Sequence, residues 1–295
     1  MRKDLRFLIV GLGLIGGSFA KVFKANGFEV GAIDLNEESI DYAINKGLID
    51  EGMTCADKNF IQSYDVVAIG LYPKAEYEWI LNYQQYFKPG TVVFDVAGVK
   101  GENAFKIRDI VRKDIEMVFT HPMAGREVSG VKNCDETIFA KANFIIVPDE
   151  RNSKECLAFI EEIGKMAGFK KISYLSIEEH DEMIGFVSQL THVIAIALMT
   201  CNNDENLQNY TGDSFRDLTR IARINENMWS ELFIENKKQL VNKIDEFVNQ
   251  MEYLKELVNN EDCEKLKEVM ILNAKNLFNS LQISLNISHL QELKR

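Results

Sequence analysis

Proline is scarce in this sequence and unevenly placed. The 295 residues include only four prolines, and none follows Pro148. Before that point short β-branched runs alternate with amphipathic stretches, whereas beyond about residue 176 long helical periodicity takes over. The length exceeds the usual size of one compact domain, so about two domains are expected. We therefore predict a change of architecture near residue 176.

Basic residues and paired cysteines are also lacking. Lysine and arginine number 34 against 45 aspartates and glutamates, and the formal net charge of -11 provides no basic field for nucleic acid or anionic lipid. An anionic ligand must therefore meet locally placed basic residues. The five cysteines form no CxxC pair, and their odd number argues against a closed disulfide framework. They are interpreted as structural thiols, and no metal site is predicted.

Long apolar runs are absent as well. No run approaches the roughly 20 residues needed to cross a bilayer. The N-terminus enters an apolar segment, residues 7–10, without the small-residue cleavage site of a secretory signal. These absences predict a soluble, cytoplasmic protein that binds neither membrane nor nucleic acid.

The first half instead shows an alternation typical of α/β proteins. Short β-branched runs predict strands near residues 7–10, 29–33, 66–69, 92–94, 117–120, 144–147 and 171–174. Amphipathic stretches predict helices near residues 16–25, 37–45, 75–86, 103–112 and 153–167. This alternation indicates a Rossmann-type parallel sheet with crossover helices over residues 1–175. Residues 176–295 are predicted to form an all-α domain.

A long apolar stripe marks the helical half. Its members recur at spacings of four and three, and they are Leu240, Ile244, Phe247, Met251, Leu254 and Val258. Such spacing places them on one face of a helix, interpreted as a core or subunit-interface face. A free-standing coiled coil is disfavoured because the pattern lasts only about three heptads.

A GxGxxG motif in residues 7–18 joins a buried strand to a helix. Gly11 permits the tight turn, Gly13 lets backbone N–H groups approach a pyrophosphate, and Gly16 lets the helix pack closely on the strand. The predicted cofactor contacts of this turn are Gly11, Gly13, Leu14, Ile15 and Gly16. A glycine-rich turn without a ligand is the alternative.

Asp34 ends the second predicted strand, where its carboxylate is placed to bind the adenosine ribose hydroxyls. The same charge would repel a 2′-phosphate, and neither Leu35 nor Asn36 offsets it, so the sequence favours NAD over NADP. Tyr72 and Asp95 follow two further strands at the same sheet edge and are also candidate cofactor contacts.

His121 is the candidate general base. It is one of only four histidines and ends a predicted strand inside a glycine-rich segment. An imidazole that titrates near neutrality can take a hydroxyl proton while hydride leaves the same carbon. From position alone, a histidine that hydrogen-bonds a loop carbonyl is an equally good interpretation.

A second polar cluster lies farther along the chain. Ser188 and His192 are four residues apart and share a face of an apolar helix, where polar groups need partners or a ligand. A core histidine satisfied by its neighbours is the alternative. His180 follows two glutamates at a helix start and is interpreted as part of N-terminal capping, and His289 is given no role.

Three arginines form a basic set, and they are Arg216, Arg220 and Arg223. A guanidinium binds a carboxylate through two parallel hydrogen bonds, which suits an acidic substrate. A solvated helix face paired with nearby acids explains the set about as well.

Five segments together resemble the prephenate and arogenate dehydrogenases of tyrosine biosynthesis. They occur in order as GLGLIGGS at 11–18, DVAGVKG at 95–101, HPMAGREVSG at 121–130, HDEMIGFVSQLTH at 180–192, and FRDLTRIA followed by MW at 215–229. The resemblance implies a Rossmann domain followed by an all-α dimerisation domain, hence a homodimer, with the active site in the cleft between the domains.

The resemblance also implies roles for individual residues. His121 would deprotonate the ring hydroxyl of the substrate, and His192 and Arg220 would hold its carboxylates, with Ser188 also contacting the substrate. Glu127 would gate or organise the mouth of the site. Hydride transfer to NAD and loss of the ring carboxylate as CO2 would convert prephenate to 4-hydroxyphenylpyruvate.

Three positions depart from the family pattern. Gly98 stands where a serine is common, Gln189 stands where a second histidine is frequent, and Arg126 stands where a small polar residue is usual. Arg126 is expected to add charge recognition of the substrate in compensation.

Three rival functions remain open. Arogenate is an alternative substrate, because one or two pocket residues decide that preference. A β-hydroxyacid dehydrogenase would want a catalytic lysine that residues 178–201 lack. A regulator that senses NAD without catalysis would not need His121, His192 and Arg220 together.

Overall fold

The computed structural model describes residues 2–55 and 57–281. The chain forms two compact units, Met1–Leu240 and Val241–Arg295. Within the described part, the last strand ends at Tyr174 and all later elements are helical. The boundary between residues 175 and 176 stays a prediction, since the division into compact units follows packing and falls inside a helix.

The first unit contains one eight-stranded sheet. Its strands are Arg6–Val10 (β1), Glu29–Ile33 (β2), Glu51–Met53 (β3), Val66–Ile69 (β4), Val92–Asp95 (β5), Glu116–Pro122 (β6), Asn143–Val147 (β7) and Lys171–Tyr174 (β8). Their order across the sheet is β3-β2-β1-β4-β5-β6-β7-β8. All pairs are parallel except β6 and β7. The predicted Rossmann-type, mostly parallel sheet is therefore confirmed.

The antiparallel pair has a simple local cause. The segment between β6 and β7 holds only two short 3₁₀ turns, Val131–Asn133 and Glu136–Phe139. A parallel return needs a crossover, usually an α-helix, so the chain comes back antiparallel instead.

Twelve helices are described. They are Leu14–Ala25 (α1), Glu37–Asn45 (α2), Lys58–Gln62 (α3), Pro73–Tyr83 (α4), Gly101–Ile110 (α5), Lys154–Met166 (α6), Ile177–Ile184 (α7), Thr191–Thr200 (α8), Asp213–Thr219 (α9), Glu226–Glu235 (α10), Lys237–Asn259 (α11) and Cys263–Leu281 (α12). Among the described residues, the second unit contains α11 from Val241 onward and α12, and α11 contains the predicted apolar stripe.

The core lies on both faces of the sheet. Along β1, Phe7 and Ile9 pack into one buried cluster, while Leu8 and Val10 pack into the other. Because helices cover both faces, residues 7–10 of the strand are all apolar, rather than apolar at alternate positions. This packing fixes the carboxyl ends of the strands, where the predicted site residues lie.

One helical stretch departs from the expectation that no apolar run could span a membrane. Helices α7 and α8 are joined by a π-helical turn, Gly185–Leu190, into a continuous helix of 24 residues. By length and composition alone this helix would suffice to cross a bilayer. It also carries His180, Asp181 and Gln189, which are buried and hydrogen-bonded inside the first unit.

Candidate active site

The glycine turn between β1 and α1 is shaped by backbone contacts. Gly11 has a positive φ of 94°, and a Cβ atom on Gly16 would lie 2.0 Å from the carbonyl oxygen of Gly11. A Cβ atom on Gly13, in contrast, would have no described atom within 4 Å. The fold thus requires glycine at positions 11 and 16. At Gly13, by contrast, no described atom occupies the space where a side chain would lie.

The open space at Gly13 adjoins the N-terminus of α1. Leu14 and Ile15 are the first residues of that helix, and no described side chain caps it. The free N–H groups and the helix dipole suit a phosphate group. The turn therefore fits the pyrophosphate of a dinucleotide.

Asp34 holds the turn from the neighbouring strand. Its Oδ2 accepts the Leu12 N–H at 2.6 Å, and its Oδ1 accepts the Asn36 N–H at 2.8 Å. The next residue, Leu35, is 92% exposed. A carboxylate oriented in this way at the end of β2 fits the ribose contact that the sequence predicts.

The two further cofactor candidates have different surroundings. Tyr72 precedes α4 and is 44% exposed. Asp95 is only 1% exposed, and its carboxylate accepts hydrogen bonds from the Thr120 N–H, the Ala97 N–H and the Lys100 ammonium. The structure therefore places Asp95 in an internal polar network beneath the strand ends.

Lys100 is the buried cation of that network. Its Nζ also donates to the carbonyl oxygens of Ala97, at 3.1 Å, and Thr120, at 2.6 Å, so three acceptors match its three protons. Glu76 of α4 is 2% exposed, and its Oε1 has no hydrogen-bond partner among the described residues. Burial, followed by the negative charge of Asp95, raises the pKa of Glu76 well above its usual value.

His121 lies in a buried chain of hydrogen bonds. Its Nδ1 is 2.9 Å from Nε2 of His180, and Nδ1 of His180 is 2.7 Å from Oδ1 of Asp181. The Asp181 carboxylate also accepts the backbone N–H groups of Lys100, at 3.0 Å, and Gly101. β6, α7 and the start of α5 therefore meet at this chain.

The opposite nitrogen of His121 faces the sheet edge. A Cβ atom on Gly98 would lie 3.9 Å from Nε2 of His121 and 3.8 Å from Cδ1 of Leu232. Burial, with further contributions from His180 and Lys100, lowers the pKa of His121 well below its usual value. The imidazole is therefore neutral at pH 7, as a proton acceptor must be.

His192 is held differently. Its Nδ1 is 2.9 Å from the carbonyl oxygen of Ser188, and its ring stacks on Trp229 with centroids 3.7 Å apart. Burial lowers the pKa of His192. The described contact of Ser188 is made by its backbone, one helical turn before His192.

Helix α10 brings the two histidine regions together. Trp229 contacts His192, and Leu232, three residues later on the same helix face, adjoins Gly98. The carbonyl oxygen of Leu232 accepts a hydrogen bond from Gln189 at 2.8 Å. Gln189 in turn accepts one from Asn236, at 2.8 Å.

The two arginines predicted to bind substrate, Arg220 and Arg126, are both paired with carboxylates. Arg220 forms an ion pair with Glu127, and both contribute to the electrostatic surroundings of His192. Arg126 pairs with Asp135 at 2.7 Å. The pKa of Asp135 is lowered to about 2, first by the Thr137 hydroxyl and then by Arg126.

His180 is a site residue that sequence reasoning missed. It was assigned to capping, but Ser176 and Glu179 form the capping box of α7 by themselves. His180 is fully buried instead. One sequence signal could have indicated this role. His180 and Asp181 directly follow a complete capping box, so neither side chain is needed to cap the helix. His289 lies outside the described residues.

The chain matches known families over most of its length. Residues 19–172 match a family model described as prephenate dehydrogenase, nucleotide-binding domain. Residues 176–272 match one described as prephenate dehydrogenase, dimerization domain. These two ranges cover the sheet from β2 to the start of β8, and the helical region that follows as far as residue 272.

Individual relatives agree with the family models. Prephenate dehydrogenase of Bacillus subtilis is 28% identical over 270 residues, which are 88% of this chain and 71% of that protein. A crystal structure of prephenate dehydrogenase from Aquifex aeolicus in complex with hydroxyphenyl propionate and NAD+ is 31% identical, with a TM-score of 0.84 over 93% of this chain and 99% of that one. Synechocystis arogenate dehydrogenase, 22% identical, shares the fold with a TM-score of 0.80 over 95% of this chain and 100% of that one.

Proposed function

The chain belongs to the prephenate dehydrogenase family, and from this premise we propose that it oxidises and decarboxylates prephenate to 4-hydroxyphenylpyruvate and CO2 with NAD. The observation that carries this proposal is the geometry of His121, whose Nδ1 is occupied by His180 while Nε2 faces Gly98. A neutral imidazole with one free nitrogen at the sheet edge is placed to accept a hydroxyl proton.

In the proposed reaction, His121 transfers the proton and NAD accepts the hydride. The free Nε2 of His121 takes the proton of the ring hydroxyl as the carbinol carbon loses a hydride. Bound NAD supplies the hydride acceptor. The bond between the ring and its carboxylate then breaks, its electrons complete the aromatic ring as a phenolate, CO2 leaves, and the phenolate oxygen takes back the proton from His121.

Substrate carboxylates are assigned to the basic groups near His192. Arg220 offers a guanidinium whose present partner is Glu127, and a substrate carboxylate would compete with Glu127 for it. His192 adds a ring nitrogen that the Ser188 carbonyl leaves free. Arg126, which is paired with Asp135, contributes positive charge at the rim.

Cofactor binding is assigned to the glycine turn and its neighbours. Leu14 and Ile15 present N–H groups to the pyrophosphate, and Asp34 receives the ribose hydroxyls. A carboxylate at this position disfavours a 2′-phosphate, so NAD rather than NADP is proposed. Tyr72 lies at the exposed rim of the same edge.

A cytoplasmic homodimer is proposed as the working state. The helical region leaves Met183, Phe186 and Val187 between 45% and 55% exposed, and apolar side chains of this kind are suited to a subunit interface. We place the domain boundary between residues 175 and 176, so that residues 176–295 form the dimerisation and substrate domain.

The assay that tests this function follows NADH absorbance with the purified protein, NAD and either prephenate or arogenate. Turnover of prephenate is the expected result. Turnover of arogenate alone would move the assignment to arogenate dehydrogenase, and turnover of neither would refute the function. His121→Asn should abolish turnover while NAD binding is retained, and loss of NAD binding would indicate misfolding instead.

A further inference from the structure

The buried chain that starts at His121 determines where the protons of two imidazoles lie. The Asp181 carboxylate accepts two backbone N–H groups at the start of α5. Helix N-termini favour negative charge, so this carboxylate is fixed as an acceptor. The Nδ1 atom of His180, 2.7 Å away, must then carry a proton and donate it to Asp181.

The same logic continues to the next ring. Burial lowers the pKa of His180, so the ring is neutral and its Nε2 is unprotonated. The Nδ1 of His121, 2.9 Å from that nitrogen, must therefore be the donor. A neutral His121 with a proton on Nδ1 has a lone pair on Nε2, the nitrogen that faces Gly98.

We propose that His180 and Asp181 are positioning residues that hold His121 in the tautomer with a free Nε2. This role rests on the proposed function, because it matters for catalysis only if His121 is the base. Neither residue touches the substrate in this scheme. Without the chain, the other tautomer would place a proton on Nε2 and leave His121 unable to accept one.

The structure gives His180 no other evident task. It is fully buried, with 0% of its surface accessible to solvent, and the polar contacts of its ring are His121 and Asp181. Helix α7 begins without its help, since Ser176 and Glu179 cap it. A buried apolar residue would fill the same volume without the need to satisfy two ring nitrogens.

The first experiment measures the tautomer directly in the intact protein. Nitrogen NMR of ¹⁵N-histidine-labelled protein, with only four histidines to assign, distinguishes a protonated ring nitrogen from an unprotonated one. We expect His121 to be protonated on Nδ1 and unprotonated on Nε2 at pH 8, as the hydrogen-bond chain requires. A proton on Nε2 instead would overturn the proposal. This measurement needs no substrate, so it decides the tautomer even if the proposed reaction fails.

The second experiment separates positioning from packing with two variants. His180→Asn keeps an amide next to Asp181 but withdraws the acceptor from His121, whereas His180→Gln extends an amide oxygen to the His121 contact. We expect His180→Asn to lower kcat by about 100-fold, within the range of general-base effects, with little change in KM or in NAD affinity. His180→Gln should recover part of the loss.

The pH profile provides a third readout. The groups whose charge acts on the His121 ring are His180 on α7 and Lys100, which directly precedes α5, and these two contact Asp181 and Asp95 in turn. Removal of the His180 ring admits water and relieves the desolvation of His121. The acidic limb of kcat/KM should therefore move to higher pH in His180→Asn.

Asp149→Asn is the matched control. Asp149 is a buried acid that pairs with Arg108 at 2.7 Å, away from the histidine chain. The variant should lower the melting temperature but leave kcat and the pH profile unchanged. A fall in stability without any change of kcat or pH profile in both His180 variants would refute the positioning role.

Discussion

Two buried acids beneath the site differ in charge because their partners differ. Asp95 faces the Lys100 ammonium and two backbone N–H groups, which stabilise a carboxylate. Glu76 has an Oε1 without a partner among the described residues, and burial raises its pKa. Burial and the negative charge of Asp95 thus favour the protonated form of Glu76, beside the ion pair of Asp95 and Lys100.

This difference predicts opposite outcomes for two isosteric changes. Glu76→Gln keeps the shape of the protonated carboxyl group that burial favours, so the free energy of unfolding should change by less than about 1 kcal/mol. Asp95→Asn leaves the Lys100 ammonium buried without its counter-charge and should cost about 3–5 kcal/mol. Urea unfolding of both variants checks this, and equal losses would contradict it.

Arg220 and Arg216 provide a second matched pair of side chains. Arg220 reaches across to Glu127, whereas Arg216 pairs with Asp213 on its own helix. Arg220→Ala should raise KM for prephenate by about 10-fold or more, as expected for loss of a charge-assisted hydrogen bond to a substrate carboxylate. Arg216→Ala should leave KM unchanged. Steady-state kinetics would refute the assignment if both variants behaved alike.

At the scale of secondary-structure elements, the strand β1, the glycine turn and helix α1 act as one unit. The helix starts at Leu14, directly after Gly13, where a Cβ atom would meet no described atom within 4 Å. Gly16 packs against the Gly11 carbonyl in the same turn. Gly16 is therefore required by the fold, whereas Gly13 leaves room for a ligand.

Alanine substitutions should separate these two requirements. Gly16→Ala places a Cβ atom 2.0 Å from a backbone oxygen, so both the melting temperature and NAD affinity should fall. Gly13→Ala meets no described atom within 4 Å, so the fold should persist while NAD affinity falls by at least about 10-fold. Thermal unfolding and NAD titration measure the two effects. Unchanged NAD affinity in Gly13→Ala would argue against a phosphate at this position.

Several strands were predicted with the bounds that the structure has, whereas one strand and one helix were missed. The strands Glu29–Ile33, Val66–Ile69 and Lys171–Tyr174 have the bounds expected from sequence. The three-residue strand Glu51–Met53 and the five-residue helix Lys58–Gln62 were missed. The strand contains no β-branched residue and the helix spans little more than one turn, so neither shows a recognisable apolar pattern; pairing with β2 rather than local preference forms the strand.

On the scale of the whole molecule, buried histidines couple folding to pH. Burial lowers the pKa values of His121, His180 and His192 in the folded state. The unfolded chain, with histidine pKa values of about 6.5, binds protons that the folded chain does not. The stability contributed by these groups is therefore complete above about pH 6.5 and is lost as pH falls below it toward the lowered folded values.

Thermal unfolding should show this dependence. The melting temperature should drop by several degrees between about pH 7 and about pH 5.5, a window that lies above the usual carboxylate range. His180→Gln removes one of the three histidines and should make the drop smaller. A melting temperature that stays constant across this window would contradict the coupling.

The sequence alone determined the sheet, the dinucleotide turn and the family resemblance, because these depend on local signals: apolar period, glycine spacing and short motifs. Only the tertiary structure decided the surroundings of His121, since the contact with His180 joins residues 59 positions apart. It likewise placed Asp95 in an internal network with Lys100 and Thr120, and paired Arg220 with Glu127. The physical reason is that protonation and charge pairing depend on which side chains packing brings within hydrogen-bond distance, and that distance is fixed by the assembled sheet and helices.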